Sequence, residues 1–108
     1  MIELRSGRAD EAGTLLAIQR AAALRAFAHI FSKELHPFPD DAIRERWDRA
    51  LGEDRTEVLV AERSGDPVGV VAVSHEWLES LYVVPSAQRE GVGSRLHDEA
   101  LSRRREGR

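Results

Sequence analysis

The stretch LYVVPSAQREGVGSRL, residues 81–96, gives the clearest indication of the fold in this sequence. It begins as an apolar strand, is stopped by a proline, and passes through a turn carrying Gly91 and Gly93 into a helix. Glycines in such a turn let the main chain approach a ligand closely, and the first amides of a helix have no acceptor within the helix. Because these amides lie at the positive end of the helix dipole, and Arg89 can add a charged contact, the stretch predicts a site for a phosphate-bearing cofactor.

Two better-known phosphate loops do not fit this stretch. A nucleoside-triphosphate loop has Lys-Ser or Lys-Thr directly after its last glycine, whereas Gly93 is followed by Ser94 and Arg95. The dinucleotide pattern requires a third glycine where this sequence has Leu96. The class of cofactor therefore depends on the residues that flank the two glycines.

The sequence on the N-terminal side of this stretch predicts two helices and four strands. Hydrophobic periodicity and breaker residues give their bounds. They are a strand from Ile2 to Arg5, a long helix capped by Asp10, a loop from Phe31 to Pro39, a helix opened by Pro39 and Asp40 and ended at Gly52, a hairpin of strands Glu57 to Arg63 and Val68 to Ser74, and a strand from Glu76 to Val84. With the helix that starts at Val92, the predicted order is β-α-α-β-β-β-α.

Apolar residues predict which faces are buried. In the first helix a period of 3.6 residues selects Ala12, Leu16, Ala23, Phe27 and Ile30, and Gln19 at the edge of this face is expected to be hydrogen-bonded. The run from Val68 to Ser74 is apolar at nearly every position. It therefore predicts a central strand covered on both faces, and we expect the first two helices to cover it.

Composition limits the class of protein. A chain of 108 residues, 42% hydrophobic and 32% charged, fits one soluble globular domain. The net charge of −3 argues against a nucleic-acid-binding protein, and no apolar run is long enough to predict a membrane span. With no cysteine, and with His29, His36, His75 and His97 lacking metal-ligand spacing, we expect a cytoplasmic protein without a metal.

The stretch and its flanks resemble the acyl-CoA-binding motif of the GNAT superfamily of N-acetyltransferases. The motif, Gln/Arg-x-x-Gly-x-Gly/Ala, is matched by Gln88, Gly91 and Gly93, after a strand that ends in Leu-Tyr-Val. The resemblance implies an α/β fold with a mixed, mostly antiparallel sheet. Members of this family continue beyond this helix, so we expect residues 1–108 to be a single partial domain, cut short after the pyrophosphate-binding helix.

The resemblance also implies the ligand and the reaction. It implies transfer of an acetyl group from acetyl-CoA to a primary amine by direct attack on the thioester, as in an N-acetyltransferase (EC 2.3.1.-). The main chain of Leu81, Tyr82 and Val83 would pair with the pantetheine arm. The pyrophosphate would be wrapped by Gln88, Arg89, Glu90, Gly91, Val92, Gly93 and Ser94.

The catalytic base is less clearly indicated. Many members of the family carry a glutamate four residues before the position of Leu81, but this sequence has Trp77 there. Glu79 shares a strand face with Leu81 by parity, and it is the candidate base. A charged residue near the end of a strand is also commonly solvated, so the alternative is a Glu79 without a catalytic role.

Three functions remain open from the sequence. The chain is an N-acetyltransferase, a non-catalytic acyl-CoA-binding module, or a truncated chain that is inactive by itself. The acceptor is expected to be a small-molecule or peptide amine. A strand left without its neighbour at the edge of the sheet also predicts a homodimer or a higher assembly.

Overall fold

Secondary structure follows the predicted order along the chain. The computed structural model describes residues 2–26, 39–53, 56–74 and 78–106, and for residues 24–26, 78, 79 and 104–106 it describes the main chain. Within these ranges the elements are β1 (Ile2–Ser6), α1 (Ala12–Ala26), α2 (Asp40–Gly52), β2 (Thr56–Arg63), β3 (Asp66–Ser74), β4 (Leu78–Val83), a 3₁₀ turn (Pro85–Ala87) and α3 (Val92–Glu106). The described strands form one antiparallel sheet in the order β1-β2-β3-β4. The predicted α/β fold is confirmed.

The predicted hairpin of β2 and β3 is also confirmed, and its turn is tight. Ser64 and Gly65 connect the strands with φ angles of 52° and 86°. Turns with two positive φ angles match the right-handed twist of paired strands, and glycine adopts such a conformation without strain. This hairpin places β3 in the interior of the sheet.

Strand β3 is buried on both faces, as predicted, but the helices divide these faces differently. On one face Val70 and Ala72 pack against α1 and α2. On the other face Val71 and Val73 join a core that contains buried residues of α3. The expectation that the first two helices cover the strand on both sides was wrong, because α1 and α2 pack against each other on the same side.

The buried face of α1 also differs from the prediction. Leu15 and Ile18 are buried beside Ala12, whereas Leu16 is only partly buried at the edge of this core. Leu15 and Leu16 are both apolar, so the period alone does not select one of the two faces. The predicted core positions Phe27 and Ile30 lie outside the described residues.

The start of α1 is stabilised by Glu11 and not by the predicted cap, Asp10. Glu11 directly precedes the helix, and its carboxylate accepts a hydrogen bond from the amide of Arg8 at 2.8 Å. The same carboxylate is held by two nitrogen atoms of Arg5, each at 2.7 Å. These contacts lower the pKa of Glu11, and the hydrogen bond from Arg5 is the largest cause.

Gln19 makes the hydrogen bond that the sequence predicted. Its side-chain oxygen accepts from the indole Nε1 of Trp47 at 2.9 Å, which links α1 to α2. Trp47 is 4% exposed and packs edge-to-face on Tyr82 of β4, with ring centroids 6.5 Å apart. This chain of contacts fixes the position of both helices over the end of the sheet.

Candidate functional site

The turn between β4 and α3 is built on buried anchors. Ala87 and Val92 are fully buried on either side of it, and Gly91 has a φ angle of 78°. Gly69 of β3 lies under the start of α3, where an added Cβ would stand 2.9 Å from a methyl of Val92 and 3.0 Å from one of Leu96. Because Gly69 has no side chain, the first turn of α3 sits close against the sheet.

Five main-chain amides at this turn have no acceptor in the described part of the chain. They belong to Arg89, Gly91, Val92, Gly93 and Ser94, and the first amide that bonds back is that of Arg95, to the carbonyl of Gly91 at 3.1 Å. Unpaired donors at a helix N-terminus, together with the positive end of the dipole, bind anions such as phosphate. The exposed Arg89 forms no ion pair with a described residue and can add its charge.

Side-chain contacts hold this turn in position. The Nε2 of Gln88 donates to the carbonyl of Val83 at 3.0 Å. Arg63 at the end of β2 pairs with the carboxylate of Glu90 and donates to the carbonyl of Ser86 at 3.4 Å. Arg63 therefore ties the turn to the hairpin, a contact that the sequence analysis missed because no local pattern pairs residues so far apart.

Two predicted binding residues, Gln88 and Glu90, use their polar groups in contacts with other residues of the chain. The amide of Gln88 bonds to the carbonyl of Pro85 and that of Glu90 to the carbonyl of Ala87, while both side chains are engaged as described above. Within the described structure they shape the turn and offer no free amide to a ligand.

The outer edge of β4 offers a second set of main-chain groups. Val84 donates its amide to the carbonyl of Val68 at 2.9 Å, and hydrogen-bonded and non-hydrogen-bonded pairs alternate along antiparallel strands. The alternation therefore turns the N–H and C=O of Tyr82 toward β3 and those of Leu81 and Val83 outward. Of the three residues predicted to pair with a ligand, two have polar main-chain groups at the free edge.

A cleft of about 380 Å³ joins the edge of β4 to the start of α3. Its walls come from β4, from the turn and from Ala22 and Ala23 of α1. The sequence predicted Ala23 as a buried residue of the helix, whereas it is only partly buried and lines this cleft. A Cβ added at Gly93 would lie 3.6 Å from a methyl of Leu81 and 3.8 Å from one of Val83. The cleft is therefore shaped by small residues beside a strand edge, and it leads to the five free amides.

The candidate base, Glu79, lies at an irregular point of β4. Glu79 lies in β4, but its side chain lies outside the described residues. Ser80 pairs with Ala72 and Leu78 with Val73, so Glu79 is an extra residue at a β-bulge. A bulge interrupts the alternation of faces, and the parity argument that placed Glu79 with Leu81 does not carry across it.

Arginine side chains fix both ends of α3 to the rest of the fold. Arg95 donates to the carbonyl of Ile2, and Arg103 contacts Glu57 of β2 and Glu99 of its own helix, the latter at 3.2 Å. The hydrogen bond that Arg103 donates to Glu57 is the main cause that raises the pKa of Arg103. Arg103 therefore secures α3 to the sheet.

The fold and the turn together place a free strand edge beside unpaired amides at a helix N-terminus. The model of the acetyltransferase (GNAT) family matches residues 21–107, and the chain belongs to this family.

Known proteins resemble the chain over different lengths. An uncharacterized N-acetyltransferase from Archaeoglobus fulgidus is 34% identical over 62 residues, with coverage of 47% of this chain and 42% of that protein. The chain thus spans less than half the length of this curated relative.

Solved structures share the fold. The PaiA N-acetyltransferase from Thermoplasma acidophilum, determined in complex with coenzyme A, matches with a TM-score of 0.81 at 20% identity, over 99% of this chain and 74% of its own. The apo form of YjaB from Escherichia coli matches with a TM-score of 0.72 at 29% identity, over 94% of this chain and 65% of its own.

The described residues lack two further features. None of the described helices is long and apolar enough to cross a membrane. No group of three or more His, Asp or Glu side chains in the described ranges is arranged to hold a metal ion.

Proposed function

We propose that the protein is an acetyl-CoA-dependent N-acetyltransferase acting on a primary amine. The observation that carries this proposal is the row of five free amides at Arg89 and residues 91–94, placed where the free edge of β4 ends. A ligand that binds both features has an amide-bearing arm joined to a pyrophosphate group, as acetyl-CoA does. Membership of the acetyltransferase family supports the same assignment.

The residues of the chain act by binding and orienting. Acetyl-CoA supplies an acetyl group already activated as a thioester. The outward main-chain groups of Leu81 and Val83 hold the arm as a neighbouring strand would, and the amide of Leu81 donates to the acyl carbonyl oxygen. The amides of Arg89 and residues 91–94 neutralise phosphate charge. Alignment of the amine and polarisation of the carbonyl then favour direct transfer, in which the C–N bond forms, the thioester C–S bond breaks and CoA leaves as the thiolate.

Glu79 is the proposed general base. A carboxylate near the acyl group can accept a proton from the attacking amine, directly or through a water molecule. Its place at a bulge near the start of β4 supports this role, because bulges re-aim side chains beside active sites.

A non-catalytic acyl-CoA-binding module is the second candidate. It is favoured by one observation, the tryptophan at position 77 where many family members carry a glutamate. Both candidates require the same cofactor site, so they differ only in turnover.

The test has two stages. Calorimetric titration of the chain with acetyl-CoA is expected to give one binding event, and its absence would refute both candidates. Release of free CoA in the presence of an amine panel then separates the enzyme from the binding module. The variant Gly13→Ala is a suitable control in both assays, because a Cβ at Gly13 contacts nothing within 4 Å.

We also propose a cytoplasmic location and self-association. The absence of cysteine from the 108 residues supports a reducing compartment. The outward groups of Leu81 and Val83 support association, because an unpaired strand edge accepts a further strand.

A further inference from the structure

A second cleft has a volume of about 520 Å³. It is walled by α2 and by the ends of β3 and β4, with Trp47, Ser80 and Tyr82 among its lining residues. Tyr82 lines both clefts. The second cleft therefore adjoins the place where the first follows the edge of β4.

The floor of the second cleft is held rigidly. Trp47 is buried, its indole nitrogen bonds to Gln19, and its ring packs edge-to-face on Tyr82. Ser80 and Tyr82 line the same cleft, and their hydroxyl groups have no hydrogen-bond partner among the described residues. An aromatic floor with a few fixed polar groups is typical of a site for a small molecule.

The rim of the cleft carries two guanidinium groups without partners. Arg46 and Arg49 lie three residues apart on α2, where side chains are neighbours on one helix face, and both line the cleft. Neither forms an ion pair with a described residue, whereas Arg5, Arg63 and Arg103 each pair with a carboxylate. The two groups are therefore free to bind an anion.

One carboxylate shares this lining. Glu53 follows the end of α2, and its Oε2 accepts a hydrogen bond from the hydroxyl of Thr56 at 3.0 Å. Two guanidinium groups against one carboxylate leave the charged lining of the cleft net positive. A ligand that carries both an amine and an acidic group would complement this arrangement better than a purely cationic amine.

We propose that the second cleft is the acceptor site and that its substrate is a small amine bearing an anionic group, a carboxylate or a phosphate. This inference rests on the proposed acetyltransferase function. Arg46 and Arg49 bind the anionic group, since guanidinium groups match the geometry of both anions. The amine then lies toward Tyr82, the residue shared with the cofactor cleft.

The test compares matched pairs of ligands by calorimetric titration of the full chain in the presence of CoA. An α-amino acid is compared with its carboxamide, and an amino-sugar phosphate with the unphosphorylated amino sugar. The anionic member of at least one pair is expected to bind about 10-fold or more tightly, as for a charge-assisted hydrogen bond. The pair that shows the preference identifies the anion.

Two variants connect this preference to the cleft. The double variant Arg46→Gln with Arg49→Gln is expected to remove the preference and to leave the affinity for acetyl-CoA unchanged. Arg44 is an exposed arginine of α2 outside the cleft lining. The variant Arg44→Gln is expected to keep both the preference for the anionic ligand and the affinity for acetyl-CoA. Equal affinity within both pairs, or a preference that survives in the double variant, would overturn the proposal. Failure of acetyl-CoA to bind would refute the proposed function separately, because the ligand pairs can also be titrated without CoA.

Discussion

Gly93 is the position where protein stability and ligand binding are expected to change in opposite directions. A Cβ there makes ordinary contacts with Leu81 and Val83, so Gly93→Ala fits the fold and is expected to raise the free energy of unfolding by about 0.5–1 kcal/mol. The same methyl narrows the cleft beside the free amides, so the affinity for acetyl-CoA is expected to fall about 10-fold or more.

Gly13→Ala is the matched control for this prediction. Gly13 and Gly93 are each the second residue of a helix, but Gly13 faces open space. Gly13→Ala is expected to be more stable than the parent in thermal unfolding, and its affinity for acetyl-CoA, measured by calorimetry, is expected to be unchanged. Unchanged acetyl-CoA affinity in Gly93→Ala would show that the ligand does not approach the first turn of α3.

Glu79→Gln is expected to leave the affinity for acetyl-CoA near that of the parent and to lower acetyl transfer about 10²-fold or more, because a lost base raises the barrier more than it weakens ground-state binding. The measurement is the pH profile of CoA release by the protein with its best acceptor. Asp66→Asn, at the exposed start of β3, is the control. A profile identical to that of the parent would remove Glu79 from the mechanism.

Glu11 is expected to make stability depend on pH. Its carboxylate is 11% exposed and bonded to Arg5, so its pKa in the folded protein lies below the ordinary value of 4.5. The contribution of the Glu11 carboxylate to the free energy of unfolding is therefore complete above about pH 4.5. It is lost as the pH falls through the lower pKa that Glu11 has in the folded protein. Glu11→Gln is expected to cost about 1.5–3 kcal/mol at pH 7 in urea unfolding. A cost that persists below pH 3 would contradict this account.

The packing of α3 on β3 is expected to depend on Gly69. Gly69→Ala places a methyl 2.9 Å from Val92, and the resulting strain is expected to cost about 1–3 kcal/mol and to weaken acetyl-CoA binding by moving the start of α3. Adding Val92→Ala makes room for the methyl. In a double-mutant cycle the combined loss of stability is expected to be smaller than the sum of the two losses. Additive losses would show that the two residues do not compete for space.

The elements could be predicted from the sequence to different degrees. The hairpin and the turn at Gly91 were predictable because glycine and proline mark them locally. The buried face of α1 was not, because Leu15 and Leu16 give two overlapping apolar stripes. The bulge at Glu79 and the anchor from Arg63 to Glu90 were not predictable either, since both depend on the pairing of distant segments.

The chain taken as a unit is expected to associate at micromolar concentration. β4 is an edge strand of the described sheet, and the N–H and C=O of Leu81 and the N–H of Val83 point outward without a partner in the described residues, whereas the Val83 carbonyl accepts from Gln88. Light scattering is expected to give a mass at least twice the 12.1 kDa of one chain. Leu81→Pro, which removes an outward amide, is expected to shift the chain toward the monomer. A parent protein that stays monomeric would show that the edge is protected.

The outward groups of β4 also link assembly to ligand occupancy. A partner strand and the arm of acetyl-CoA would use the same two residues, so one excludes the other on any given chain. By mass action, a ligand that binds only the free edge draws subunits out of the assembly, and assembly lowers the apparent affinity for the ligand by a reciprocal amount. The dissociation constant for acetyl-CoA would then rise with protein concentration, and the chain would respond to its own abundance as well as to that of its ligand.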